Sequence, residues 1–331
     1  MTRASASKSI SRRRAISVLA AGATLVAGGR AAAGLAERFV WTGTALGADA
    51  RIILYHADRS VARAAIAACV DEIDRLENEF SLYRSDSALS RLNRNGHLAA
   101  PSHDMRRLLA DAHRISAYSD GAFDITVQPL WQLYARHFAG RPRPTAGPDP
   151  AALAAALARI DYRRIDNAPA RIRLAPGTAI TLNGIGQGYI TDRVADLLRR
   201  QGWSNLLVDL GEILALDDRP DGHPWAVDLP VPGDRAERLS IADRAVATSA
   251  GDGMAFDARG RHHHLFDPRT GQSANIYRSV TVVARRATVA DALSTALYVM
   301  ARPAAQRLAR WAAADQVLLI DQNGRLDRLV G

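Results

Sequence analysis

The hydrophobic periodicities of this 331-residue chain predict a folded domain of mixed α and β structure. Two observations carry that prediction. Apolar residues recur at helical spacing over Ser60 to Glu79, over Asp104 to Tyr118 and again after Gly188. Between these stretches lie short alternating or wholly apolar runs, broken by Gly, Asp and Pro, as in Phe39 to Tyr55 and Trp225 to Ala247. A hydrophobic content of 48% and a charged content of 23% are ordinary for a folded globular chain. The length allows one large domain or two, with ample material for a core.

The formal net charge of +9 is unevenly spread. Arg3, Lys8, Arg12, Arg13, Arg14 and Arg30 all precede the first acidic residue, Glu37, and without them the remainder carries +3. So mild a surplus gives little support to nucleic-acid binding. Ser11-Arg12-Arg13-Arg14-Ala15-Ile16 resembles a twin-arginine export motif. Ile16 to Gly29 is moderately apolar, and Ala31, Ala33 and Ala36 offer A-x-A cleavage positions. The apolar run falls short of the ~20 residues that a membrane span needs. The expectation is therefore a removable signal over residues 1–36, a periplasmic domain over residues 37–331, and no stable membrane span in the mature form. No cysteine lies near the cleavage region, which argues against a lipoprotein anchor. Cys69, the only cysteine, excludes an intramolecular disulfide and shares a helical apolar face with Ile66, Val70, Ile73 and Leu76.

In chain order, Phe39 to Tyr55 reads as two strands around a glycine turn, followed by the helix from Ser60 to Glu79. Tyr83 lies in the loop after it, where an aromatic ring either stacks on a planar ligand or is half buried. The helix from Asp104 to Tyr118 ends at Ser119-Asp120-Gly121, and Asp124 beyond it has the position of a helix cap. Residues 139–150 are dense in proline and glycine and read as a surface insertion. A helix over residues 151–159 and a strand over residues 172–174 follow. Ala179 to Leu182 then reads as a strand leading into Gly184, Gly186 and Gly188, whose G-x-G-x-G spacing is not the dinucleotide-binding one. Backbone N–H groups at the start of the ensuing helix suit a phosphate, although a purely structural turn explains the glycines equally well. Asn205 to Ile213 reads as a buried strand ending in Gly-Glu, and Trp225 to Ala247 as an antiparallel meander.

Two further stretches carry chemistry. On a strand through His262-His263-His264 only His262 and His264 point the same way, and with no thiolate nearby zinc is disfavoured. On a helix through Thr288 to Met300, Asp291 shares a face with Ser294 and Thr295. Their oxygens suit a hard cation such as Mg²⁺, while on the residues alone the same carboxylate also reads as a cap.

These stretches, taken together and in order, resemble the ApbE family of FAD:protein FMN transferases. The resemblance is carried by Gly43-Thr44-Ala45-Leu46-Gly47, by Phe80-Ser81-Leu82-Tyr83 through Asn93, and by Gly121-Ala122-Phe123-Asp124-Ile125-Thr126. It continues through Gly188-Tyr189-Ile190-Thr191-Asp192, His263-His264-Leu265-Phe266-Asp267-Pro268 and Asp291-Ala292-Leu293-Ser294-Thr295-Ala296-Leu297. Thr181 and Gln187 stand where the family usually has Asp and Lys or Glu. The resemblance implies an α+β, ApbE-like fold, with a strand-rich core, flanking helices and a flavin cleft. It implies FAD contacts at Leu46, Tyr83, Ala122, Phe123, Asp124, Thr181, Gln187 and Leu265. Catalytic roles fall to His264, as general base, and to Asp291. The implied Mg²⁺ ligands are Asp291, Ser294, Thr295 and the Gly184 carbonyl. The implied reaction transfers FMN from FAD to a Thr or Ser hydroxyl of a periplasmic or membrane flavoprotein and releases AMP. Two alternatives stand beside it: a non-catalytic FAD-binding or flavin-delivery protein, and an FAD pyrophosphatase. The signal and the Thr181 to Tyr189 stretch resemble the NosX-type branch, which implies a NosR-type acceptor in nitrous-oxide respiration.

Overall fold

A computed structural model describes residues 36–140, 144–230 and 236–330. The expected export motif and its apolar run lie outside these residues, as does the middle of the proline- and glycine-rich stretch. The chain begins with the hairpin β1 (Glu37–Ala45) and β2 (Ala48–His56). There follow α1 (Arg59–Phe80), α2 (Ala88–Asn95), β3 (His97–Ala99), α3 (His103–Tyr118), α4 (Gln128–Phe138), α5 (Pro150–Leu157), β4 (Ile165–Asn167) and β5 (Arg171–Leu174). After them come α6 (Gly186–Arg200), β6 (Leu206–Asp209), β7 (Ile213–Leu216), β8 (Trp225–Pro230), β9 (Ala236–Ile241) and β10 (Ala245–Ala250). Then come β11 (Tyr277–Ala284), α7 (Ala287–Tyr298), α8 (Arg302–Trp311), β12 (Gln316–Asp321) and β13 (Leu326–Val330).

Eight strands form one antiparallel sheet in the order β1-β2-β6-β7-β10-β11-β12-β13. Its inner strands read as apolar runs because both faces are covered there. Ile52, Leu54, Leu206, Val208 and Val282 point into a core shared with α1, α6 and α7. The alternate residues Ile53, Leu207, Ile213 and Val283 meet Trp225, Val227 and Leu239 of the β8–β9 hairpin on the other side. Strands β3, β5 and β4 make a small second sheet, and α4 and α5 pack on Phe256 and Phe266 in a third cluster. The architecture is the expected α+β one, strand-rich with flanking helices.

Four local expectations need correction. Trp225 to Ala247 is not one meander: β8 and β9 pair only with each other, and β10 inserts between β7 and β11. All six residues of β10 are buried, as suits a central strand. Ala179 to Leu182 forms no strand, because the Asn93 side chain takes both backbone groups of Ile180 at 2.8 Å and the Thr181 N–H donates to the Ile125 carbonyl. The buried strand after Asn205 stops at Asp209, and Gly211, at φ 99°, turns the chain into β7. His262 to His264 lie in an irregular loop held by isolated bridges, not in a strand. Cys69 is buried in α1 as expected, and burial pushes its thiol up to about 12. Among the described residues no helix is long and apolar enough to cross a membrane.

Candidate active site

The start of α6 and the start of α7 lock into one another, and this contact organises the site. Gly188 lies so close to α7 that a Cβ there would run into the Ala287 carbonyl, so glycine is required by contact and not by a left-handed turn. None of Gly184, Gly186 and Gly188 has positive φ. The Gly188 N–H donates to Asp291 Oδ2 at 3.0 Å, and the Gly186 N–H to the Leu182 carbonyl at 2.7 Å. The anion at this helix N-terminus is thus a carboxylate of the protein itself. The exchange is reciprocal. Asp192 of α6 accepts from the Ala287 N–H at 2.7 Å and from the Thr288 N–H at 3.0 Å, capping α7. Asp192 is held near Arg286, at 3.4 Å, yet its burial is the larger influence and raises its pKa. Asp291 therefore does not cap its own helix; Asp192 has that task.

Behind this contact a second buried carboxylate ties three helices together. Asp104 of α3 accepts from the Tyr189 hydroxyl of α6 and from Arg75 of α1, both at 2.7 Å, with Arg193 at 3.5 Å. Burial alone pushes Asp104 up; the Tyr189 hydroxyl and the two guanidinium groups outweigh it and leave the carboxyl below its usual range.

In front lies a cavity of about 270 Å³, walled by eight separate segments of the chain. Asp291 and Thr295 of α7, with Gly184, form one wall. Beside Thr295, the Ser249 hydroxyl of β10 lies 2.8 Å from Ser294 Oγ and 3.3 Å from Thr295 Oγ1. Ser294, which also donates to the Asp291 carbonyl at 2.9 Å, is buried behind the wall and not on it. A Cβ on Gly184 would come within 2.9 Å of Thr295 Oγ1, so glycine keeps that space open. Carboxylate, hydroxyl and carbonyl oxygens are hard donors, and a small hard cation such as Mg²⁺ fits this set.

The expected flavin-contact residues meet in the same cavity. Leu46, Tyr83, Ala122, Phe123, Asp124, Thr181, Gln187 and Leu265 all line it. Leu46 occupies the hairpin turn with φ 45°, and its N–H is held by Glu77 Oε1 at 2.5 Å. Tyr83 is 67% exposed at the cavity, which leaves its ring accessible for stacking. Asp124 is committed to protein donors, accepting from the Thr126 N–H at 2.7 Å and the Tyr162 N–H at 2.9 Å; burial raises its pKa. It shapes the wall as a cap.

The three histidines separate. His262 packs against Phe138, with ring centroids 5.1 Å apart, away from the cavity. His263 is buried against Tyr298 and the Ala274 carbonyl, and burial lowers its pKa. His264 alone faces the cavity. Its Nδ1 lies 3.1 Å from the Met254 carbonyl, which only accepts, so Nδ1 carries the proton and Nε2 of the neutral ring is the proton acceptor. Sequence reasoning missed Thr248, Ser249 and Glu212 on the wall. Adjacent hydroxyls in the small-residue strand Ala245-Val246-Ala247-Thr248-Ser249-Ala250 were the available signal.

Residues 46–319 match the ApbE family. A protein of Haemophilus influenzae named FAD:protein FMN transferase is 32% identical over 247 residues, covering 70% of this chain and 71% of that one. A Vibrio cholerae protein of the same name is 34% identical over 244 residues, covering 69% and 72%. Among solved structures, the flavin transferase ApbE from Vibrio cholerae superposes with a TM-score of 0.77 at 26% identity, covering 89% of this chain and 97% of that one. The ApbE protein of Thermotoga maritima gives 0.78 at 28% identity, covering 88% and 97%.

Proposed function

The chain belongs to the ApbE family and is an FAD:protein FMN transferase, and we propose that it esterifies FMN to a Thr or Ser hydroxyl of a partner flavoprotein, releasing AMP. The observation that carries this reading is the meeting of Asp291, Thr295 and Gly184 with His264 and Tyr83 in one cavity, from segments more than 200 residues apart in sequence. In the reaction, the acceptor oxygen forms a bond to the FMN phosphorus, and the bond from that phosphorus to the bridging oxygen of AMP breaks. His264 Nε2 takes the proton of the acceptor hydroxyl. Tyr83 stacks on the isoalloxazine, while Leu46 and Leu265 supply apolar contact and Thr181 and Gln187 supply neutral polar contact. Asp291, Thr295 and the Gly184 carbonyl, with Ser249 hydrogen-bonded to both Thr295 and Ser294, are the oxygens that would hold Mg²⁺. Bound there, Mg²⁺ neutralises charge on the diphosphate and its leaving group.

We further propose periplasmic action after twin-arginine export, supported by Ser11 to Ile16, and a NosR-type acceptor, supported by the resemblance of the Thr181 to Tyr189 stretch to the NosX-type branch. The test is incubation of the purified chain with FAD, Mg²⁺ and a NosR-type flavin-binding domain. Flavin fluorescence that stays with the acceptor in a denaturing gel, matched by AMP, supports transfer. Free FMN with AMP marks hydrolysis instead, and unchanged FAD marks binding alone.

A further inference from the structure

We propose that the acceptor polypeptide docks beside the catalytic cavity as an extended segment that pairs with the edge of β1 left unpaired among the described residues, next to a groove over β1, β2 and β6 that opens into the cavity. The proposal rests on the transferase reading and adds where the second substrate enters. The groove, about 800 Å³, shares Leu46, Gln187, Glu212 and Gly253 with the catalytic cavity, so the two are continuous. Its remaining walls come from the β1–β2 hairpin and the end of β6, including Thr42, Thr44, Asp49 and Asp209. Gly47 and Ala48 leave the hairpin end of the groove without bulky side chains, whereas Gly43 packs under the Trp41 ring and Gly211 against Gln187.

The second observation is the edge itself. Among the described residues β1 is paired on one side only, by β2. Its register runs through nine consecutive pairs without a bulge. The turn Leu46-Gly47, with φ of 45° and 76°, is a two-residue type I′ turn, which makes Ala45 and Ala48 a hydrogen-bonded pair. By alternation Thr44, Thr42 and Val40 direct their N–H and C=O groups away from β2. Natural edge strands are usually blocked by charge, proline or a bulge. Here the only charged residues of β1 are Glu37 and Arg38, at the end far from the cavity, and Val40 is 43% exposed.

A strand added along Val40 to Thr44 spans about 17 Å at the rise of a β-strand. It points its next residues past Leu46 to Gln187 and Glu212, where groove and cavity join. That is where an acceptor hydroxyl has to arrive. A second copy of this chain has no reason to end its contact there, which is why the acceptor, and not self-association, is the occupant chosen. Asp49 and Asp209 exceed the one groove cation, Arg51, so the surface favours a segment without carboxylates beside its hydroxyl residue.

Two variants test the groove with the NosR-type acceptor domain as probe. Thr42→Pro removes an outward N–H at an edge position that tolerates proline, and Asp49→Arg reverses an exposed charge. Both are expected to raise the KM for the acceptor about tenfold or more, with FAD affinity by fluorescence quenching and melting temperature unchanged. Amide hydrogen exchange at Thr42 and Thr44 is expected to slow when the acceptor is added to the wild-type chain. Wild-type KM in both variants overturns the groove and leaves the transferase reading standing. Wild-type chain that labels no acceptor overturns both. Protection of the same amides in a dimer without acceptor assigns the edge to a second copy and overturns the proposal.

Discussion

Asp291 has two tasks that one substitution can separate. It accepts the Gly188 N–H at the start of α6, and it faces the cavity as the one carboxylate of the proposed metal wall. An amide oxygen still accepts the N–H, whereas a neutral side chain is a poor ligand for a hard cation. Asp291→Asn is therefore expected to keep its melting temperature within a few degrees while Mg²⁺-dependent AMP release falls roughly 100-fold or more, the scale of losing one charge-stabilising group. Normal turnover in that variant removes Asp291 from the mechanism. Gly188 sets a different limit. Alanine normally gains about 1 kcal/mol over glycine inside a helix. Here the new methyl meets the Ala287 carbonyl, a backbone atom with no rotamer to escape into. Contact wins, and Gly188→Ala is expected to lose about 1–3 kcal/mol in denaturant unfolding, the usual cost of overpacking.

At the scale of elements, α6 and α7 exchange carboxylates across their first turns, and α1, α3 and α6 share Asp104. Asp192→Ala removes the acceptor of two backbone N–H groups at the buried start of α7. The expected loss is about 2–3 kcal/mol of stability, from the missing cap and the stranded donors. Because that helix carries Asp291 and Thr295, titration with Mn²⁺ followed by electron paramagnetic resonance is expected to show weakened binding as well. Asp104 makes the fold acid-sensitive. Its carboxyl lies below the usual range when folded, so the stability it contributes is present above the unfolded value of about 3.9. That contribution disappears as pH falls through the depressed folded value. Thermal melts of the wild type are expected to drop steeply below pH 4, and Asp104→Asn is expected to start lower at pH 7 and flatten the decline. Parallel curves for the two proteins contradict this role.

At the scale of the whole molecule, the two-sided sheet holds the site by bringing β10 and α7 against the loop before α6. Export is the one whole-chain property argued from residues outside the described structure. Replacing Arg12 and Arg13 together by lysine is expected to retain the precursor in the cytoplasm, read by fractionation and immunoblot; undiminished periplasmic protein shows another route. The helices of α1 and α3, the opening hairpin and the α+β class were legible in the chain because each depends on local periodicity and turn chemistry. The candidate residues were legible too, because motifs in sequence order name Leu46, Tyr83, His264 and Asp291 without any need to know their distances. What local patterns do not contain is which segment satisfies which backbone group. Asn93 reaches Ile180 across 87 positions and abolishes a strand that the apolar run suggests. Gly188 finds Asp291 across 103 positions, turning a suspected phosphate cradle into a helix–helix lock. Ser249 and Glu212 reach the cavity only because a central strand and a hairpin turn end there. Local sequence determines the elements and the chemical inventory; partner choice follows from burial, since a polar group removed from water bonds whatever the packed chain brings within reach.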